Sequence, residues 1–74
     1  MLEHLRALRE DRDLSQKDMA PLLNIHQTTY SDYELGRLNV PISALVQLAR
    51  FYGTSVDYLL DLTDVREPYP RKRA

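Results

Sequence analysis

The chain has 74 residues, of which 43% are hydrophobic and 28% are charged, so it suits one compact domain with one small core. It has no cysteine, which excludes a disulfide and a thiolate metal site, and no apolar run of the roughly 18–20 residues that a membrane-spanning helix needs. The first ten residues mix charges with leucines and lack the apolar segment of a secretory signal, so the cytoplasm is the expected compartment.

The charges are distributed unevenly along the chain. Residues 1–65 hold six basic and ten acidic side chains, a net charge of −4, whereas residues 66–74 hold four basic and one acidic, a net charge of +3. The net charge of −1 for the whole chain does not by itself suggest a nucleic-acid ligand. The sequence predicts an acidic folded domain over 1–64 and a flexible basic tail over 65–74, which contains two prolines.

Apolar residues at helical spacing predict short helices along the chain, and no strand pattern competes with them. The first helix is expected over about 2–12. The second is expected over 16–23, because Ser15 and Asp18 approximate a capping box and Asn24 suits the left-handed residue that often follows a helix. Pro21 lies inside this second helix, where it removes one intrahelical hydrogen bond.

The third helix is expected over 27–35, with Tyr30, Tyr33 and Glu34 facing the body and a glycine ending it. The fourth is expected over 42–52, after a proline. The fifth is expected over 55–62, with a serine capping its start. Together these elements predict an all-α fold, a compact five-helix bundle.

The second and third helices are joined by a short turn at 24–26, and the third exposes a polar face, which is the helix-turn-helix arrangement. Three motifs follow in order along about 60 residues: LSQKDMA, YSDYELG and FYGTSVDYLL. With these motifs the chain resembles the Cro/repressor (XRE) helix-turn-helix family, and its end resembles short single-domain members with a PYP tail. The resemblance implies a bundle of the phage-repressor-like DNA-binding type.

The resemblance implies DNA contacts at the matching positions. Those expected to meet base edges in the major groove, or to flank such residues, are Gln27, Thr28, Thr29, Ser31 and Asp32. Those expected to contact backbone phosphates lie at the start of the second helix and in the loop after the third: Ser15, Gln16, Lys17, Arg37 and Asn39. His26, just before the third helix, is expected either to cap that helix or to contact a phosphate. Arg9 and Glu34 match a partly buried ion pair that ties the first helix to the third.

Helical geometry independently places residues 27, 28, 31 and 32 on one face. A glutamine such as Gln27 can pair with adenine N6 and N7, and threonine methyls can contact the thymine methyl. Asp32 could accept a hydrogen bond from cytosine N4, although nearby phosphates would repel it. Because no lysine or arginine lies between Asp18 and Leu35, this face suits hydrogen bonding in the groove rather than electrostatic attraction.

Asp32 and Leu35 depart from the family pattern, in which basic residues are frequent at both positions. The favoured function is a sequence-specific, double-stranded DNA-binding transcriptional repressor that acts as a homodimer on a palindromic operator. Its expected dimer surface lies near the end of the fifth helix, at Leu60, Leu62 and Val65. The alternative is a protein-interaction module, antitoxin-like or an adaptor, that uses the same fold.

Other polar residues have simpler interpretations. His4 is expected to be an ordinary surface residue, and Asp57 and Asp61 are expected to form a solvated acidic face. The tyrosines have the helical spacing of core residues rather than that of a base-stacking surface. Because there is no activated nucleophile, metal-binding cluster or phosphate-binding glycine loop, we expect no enzymatic activity, cofactor, metal, small-molecule ligand or membrane association.

Overall fold

The computed structural model describes residues 1–68 and 70. Within them the chain forms five helices joined by short turns: α1 Glu3–Asp11, α2 Gln16–Leu23, α3 Gln27–Leu35, α4 Ile42–Tyr52 and α5 Val56–Leu59. The described residues contain no strand, and the predicted all-α bundle is confirmed. Residues 69 and 71–74 of the predicted flexible basic tail, including its basic cluster at 71–73, lie outside the described residues. None of the five helices has both the length and the apolar character needed to cross a membrane.

Two helices begin with a serine cap that the sequence predicts. The Ser15 hydroxyl accepts a hydrogen bond from the Asp18 N–H at 3.1 Å, and the Asp18 carboxylate accepts one from the Ser15 N–H at 2.8 Å. Both hydrogen bonds lower the pKa of Asp18, and the bond from the Ser15 N–H has the larger effect. The Ser55 hydroxyl accepts from the Tyr58 N–H at 3.1 Å in the same way. These bonds satisfy amide groups that have no partner inside their own helix.

The first helix is capped from the other end of the chain. Its N-cap residue, Leu2, provides no side-chain acceptor, and Asp61 accepts from the N–H groups of Glu3 and His4 at 2.8 and 2.9 Å. Asp61 is exposed, as a solvated acidic face would be, but it also has this capping role, which the sequence did not predict. Its carboxylate joins the N-terminus of α1 to the segment after α5.

The expectation that His4 is an ordinary surface residue was wrong. Its ring stacks on Tyr58 with 3.9 Å between the ring centroids, and its Nδ1 donates to the Tyr58 carbonyl at 2.8 Å. Nδ1 also lies 3.2 Å from an oxygen of Asp61, and Nε2 lies 3.2 Å from one of Asp64. His4 therefore fastens α1 to α5 and to the residues that follow it.

Each of the five helices is followed within two residues by one with left-handed backbone: Asp13, Asn24, Gly36, Gly53 and Asp61. In each case the next N–H bonds to a carbonyl five residues back, at 2.9–3.1 Å, which is the Schellman pattern. This pattern explains why the predicted fifth helix, 55–62, was too long. The backbone turns at Asp61, so α5 ends at Leu59. Pro21 lies inside α2, as the sequence predicts, and the helix continues to Leu23 before the left-handed Asn24.

The core is built from residues of all five helices. Its buried residues are Leu5, Leu8, Met19, Tyr30, Leu48, Ala49, Tyr52 and Leu59. The Tyr52 hydroxyl donates to the Met19 sulfur at 3.4 Å, and burial raises the pKa of Tyr52 to about 12. Burial, together with the neighbouring Glu34 carboxylate, also raises the pKa of Tyr30. This small core holds the pair α2 and α3 in a fixed orientation.

Candidate nucleic-acid interface

The helix-turn-helix unit consists of α2, the turn at 24–26 and α3. Asn24 adopts φ 55° and ψ 47°, and the Ile25 N–H bonds back to the Ala20 carbonyl at 3.0 Å, so the chain reverses sharply. α2 then packs against α3. The inner side of α3 is buried through Tyr30, Tyr33 and Glu34, and its outer side is left to the solvent.

The five predicted base-contacting residues are not equally accessible. Gln27 and Thr28, in the first turn of α3, are exposed, whereas Thr29, Ser31 and Asp32 are half-buried. Within the described part of the chain, none of these five side chains makes a hydrogen bond. The first turn of α3 therefore presents the free donors and acceptors that reach furthest from the body.

At the start of α2, the Ser15 and Asp18 N–H groups are already used within the capping box. The Ser15 N–H is already donated to Asp18, and the Ser15 hydroxyl oxygen already accepts from Asp18. The Asp18 carboxylate adds negative charge to the same turn. Gln16 is half-buried and Lys17 is exposed. A phosphate approaching this turn would therefore meet the side chains of Gln16 and Lys17 and the Ser15 hydroxyl proton, but not the Ser15 or Asp18 N–H.

His26 occupies the N-cap position of α3 in extended conformation, but its side chain makes no capping hydrogen bond. The capping role considered for His26 was therefore wrong, and the phosphate contact stays a prediction. Arg37 and Asn39 lie exposed in the loop between α3 and α4. They are on the C-terminal side of α3, opposite the end at which Gln27 lies.

Arg9 and Glu34 form an ion pair beneath this surface. Arg9 donates to the two Glu34 carboxylate oxygens at 2.8 and 3.3 Å, and to the Leu14 carbonyl at 2.8 Å. Glu34 is 2% exposed, and the side chain of Arg9 is 13% exposed. The hydrogen bond with Glu34 raises the pKa of Arg9. A further bond, from the Leu2 N–H to the Glu34 carbonyl at 2.8 Å, joins the chain's start to α3. Together these contacts fix α3 relative to α1.

Arg6 has no role among the sequence-based predictions, although it lies beside this surface. A cleft of about 150 Å³ opens between α1, the start of α2 and the end of α3, lined by Met1, Arg6, Arg9, Gln16, Glu34 and Leu35. Arg6 lies three residues before Arg9, and that spacing on one side of α1 was the available sequence signal. Gln16, Glu34 and Leu35, which line the cleft with it, come from other helices, so the spacing alone gave Arg6 no function.

The surface at the end of α5 carries exposed apolar side chains, in contrast to the polar outer side of α3. Leu60 is half-buried, whereas Leu62 is 71% and Val65 is 60% exposed. The segment that carries them is held to the body, since the buried Thr54 hydroxyl donates to the Arg66 carbonyl at 2.6 Å.

Within residues 1–68 and 70, no group of histidine, aspartate and glutamate side chains is arranged to hold a metal ion.

Residues 5–59 match the family model described as helix-turn-helix. An uncharacterised HTH-type transcriptional regulator, YobD, of Bacillus subtilis is 39% identical over 66 residues, which are 89% of this chain and 59% of YobD. The cryptic phage CTXphi transcriptional repressor RstR of Vibrio cholerae is 34% identical over 76% of this chain and 50% of its own length. The control protein C.SmaI of Serratia marcescens is 35% identical over 81% of this chain and 71% of its own length.

The chain thus spans only about half the length of some curated relatives that it matches, YobD and RstR among them. No solved structure gives a significant match.

Proposed function

The chain belongs to the helix-turn-helix family, and on that premise we propose that it is a sequence-specific, double-stranded DNA-binding transcriptional regulator. The observation that carries this proposal is the outer face of α3. Its polar side chains are free of internal hydrogen bonds, and the buried pair of Arg9 and Glu34 fixes the helix that bears them. One relative is named a transcriptional repressor and others HTH-type transcriptional regulators, which supports a regulator, and a repressor in particular.

In the proposed mechanism α3 enters the major groove. Gln27 and Thr28 are the most exposed of the predicted reading residues, so they reach the base edges first. Thr29, Ser31 and Asp32 lie behind them and contact the groove wall or flanking bases. Phosphates on either side of the major groove are contacted by the side chains at the start of α2, by His26, and by Arg37 and Asn39 in the loop after α3. Occupation of a promoter by this complex would block polymerase sterically.

The charge of the domain implies weak nonspecific binding. Nonspecific affinity depends on how many phosphates are neutralised, and residues 1–65 carry a net charge of −4. Asp32 adds a negative charge on the reading face itself. Discrimination between sequences then depends mostly on hydrogen bonds to the bases.

We propose a homodimer on a palindromic operator, with half-sites about 34 Å apart, one turn of the DNA helix. Leu62 and Val65 support a dimer surface at the end of α5 because they are large, apolar and mostly exposed. Leu60, next to them, is half-buried and contributes less.

The second candidate function is a protein-interaction module that uses the same face. Leu35 is 37% exposed and lies one turn from Asp32, so part of α3 presents an apolar and acidic surface rather than a basic one. The salt dependence of binding distinguishes the two functions. DNA binding should weaken steeply as salt is raised, whereas an apolar protein interface should not.

The experiment that tests the main proposal is selection from a random duplex DNA library with the purified chain, first at low and then at physiological salt. Enrichment of an inverted repeat would support the regulator and the dimer together. If a chain shown to be folded by circular dichroism enriches no sequence, the proposed function is wrong and the protein-interaction module takes its place.

Gln27→Ala tests the reading role of α3. It should weaken binding to the selected operator by about 1–3 kcal/mol and relax the preference at one base pair. Gln47→Ala is the matched control, because Gln47 lies on α4 and donates to the Leu22 carbonyl. The control should leave the base preference unchanged. Equal base preferences for wild type and Gln27→Ala would remove Gln27 from the reading face.

Asp32→Lys tests whether this residue lies near phosphates. Nonspecific affinity should rise and the salt dependence should steepen, because a repelled charge becomes an attracted one. Glu67→Lys makes the same change of net charge in the exposed C-terminal segment. If both variants respond alike, Asp32 acts only through the net charge of the domain.

A further inference from the structure

The outer face of α3 has no cation of its own, so the charge that holds a phosphate near its C-terminal end has to come from another element. The exposed Arg37 in the loop after α3 is one source, and α1 with its C-cap carries three further arginines whose present partners differ. Arg9 is committed to Glu34. Arg12 donates to the Phe51 carbonyl at 3.1 Å, and its guanidinium carbon lies 5.0 and 5.1 Å from the ring centroids of Phe51 and Tyr52. Both arginines therefore have structural partners that they would have to leave.

Arg6 is different, because its two contacts are weak. Its Nε lies 3.4 Å from a Glu10 oxygen, and the two side chains are 47% and 55% exposed. Exposed ion pairs four residues apart on a helix contribute little to stability. Its Nη1 faces the Met1 sulfur at 3.6 Å, and a thioether is a poor acceptor. A phosphate would be a stronger partner, since it accepts two parallel hydrogen bonds from a guanidinium.

The position of Arg6 is suited to such a contact. It lines the same cleft as Gln16, which is expected to contact a phosphate, and as Leu35 at the end of α3. The cleft, of about 150 Å³, is large enough to admit water and leaves Arg6 accessible to a ligand. Glu34 also lines it, but both of its oxygens are held by Arg9. Glu10 is therefore the carboxylate that competes for Arg6.

We propose that Arg6, reaching from α1 into this cleft, binds a backbone phosphate of duplex DNA and supplies the positive charge that α3 lacks. The inference rests on the proposed DNA-binding function. On binding, the guanidinium exchanges the Glu10 carboxylate for a phosphate oxygen, while the Gln16 amide donates to the same strand. Leu35 forms the apolar wall that limits access of water to this contact.

The first test is the salt dependence of operator binding by Arg6→Gln. Each neutralised phosphate contributes about 0.9 to the slope of log affinity against log salt, so the slope should become shallower by about one. If the two proteins bind equally at 1 M salt, this change of slope makes the variant's binding about fivefold weaker at 0.15 M salt and about fifteenfold weaker at 0.05 M. Arg50→Gln is the matched control, since Arg50 is exposed on α4. An Arg6→Gln slope equal to that of Arg50→Gln overturns the inference.

Two further variants test the position of the charge. Glu10→Gln removes the competitor and should tighten binding at low salt, an effect that should vanish when Arg6→Gln is added. In Arg6→Gln/Leu35→Arg the cation is restored from the opposite wall of the cleft, and most of the lost slope should return. A double variant no better than Arg6→Gln would show that the two positions do not serve one phosphate, and would overturn the inference.

The result also separates this inference from the function on which it rests. If wild type binds no duplex at all, the DNA-binding proposal fails. If wild type binds its operator and Arg6→Gln behaves as the Arg50 control does, only the role of Arg6 fails. Far-ultraviolet circular dichroism of each variant shows that the bundle is intact, and the exposure of Arg6 makes unfolding by its substitution unexpected.

Discussion

Replacement of Arg9 by methionine should remove about half of the stability of this domain. A 74-residue domain has a free energy of unfolding of about 4–11 kcal/mol. Arg9→Met keeps an unbranched chain of similar length but removes three hydrogen bonds, two of them to Glu34. Glu34 is only 2% exposed, so its charge would be left buried without a partner. Stranding one partner of a buried ion pair costs about 3–5 kcal/mol.

The assay is urea unfolding followed by far-ultraviolet circular dichroism at neutral pH. The matched control is Arg6→Met, because Arg6 lies on the same helix and its pair with Glu10 is exposed. The control should lose less than about 1 kcal/mol. If Arg9→Met is too unstable to measure, Arg9→Lys retains the charge but cannot retain the three-bond geometry, and it should lose an intermediate amount.

A second variant isolates the buried charge. Arg9→Met/Glu34→Leu removes both charged groups, so it should be more stable than Arg9→Met alone even though it carries one more substitution. If Arg9→Met costs no more than Arg6→Met, or if the double variant is the less stable one, the reasoning that burial makes this pair important is refuted.

Three other expectations follow from the helix ends and the core. Because burial raises the pKa of the Tyr52 hydroxyl to about 12, the unfolded chain releases the Tyr52 proton at a lower pH than the folded chain does. The free energy of unfolding should therefore fall by about 1.4 kcal/mol per pH unit between pH 10 and 12. Tyr52→Phe should make urea midpoints over that range less steeply dependent on pH, and an unchanged slope would contradict this. Asp61→Gly keeps the left-handed turn but removes the cap of α1, so it should cost about 1 kcal/mol in urea unfolding, against almost nothing for the fully exposed Asp64→Gly. Asn24→Ala should cost about 1 kcal/mol in the same assay while Asn24→Gly should not, and equal losses would show that the backbone angle is not the cause.

The parts of this protein that the sequence predicts correctly are those formed by hydrogen bonds between residues close in the chain. The capping box of Ser15 and Asp18 spans three residues, and the left-handed turn at Asn24 is closed by a bond across five. Periodicity placed the buried side of α3, with Tyr30 and Glu34 facing inward. Local geometry determines such features, so residue type and spacing are sufficient to predict them.

Only the tertiary structure determined the contacts between residues that are far apart in sequence. Asp61 caps α1 across 58 residues, and His4 acquires its stacked partner Tyr58 from the last helix. The end of α5 was misplaced because the left-handed turn at an aspartate carries a weaker sequence signal than one at a glycine. Arg6 shares a cleft with Gln16 and Leu35 only after three helices have packed together. Spacing along one helix specifies which face a residue occupies, but the packing of the bundle determines what that face meets.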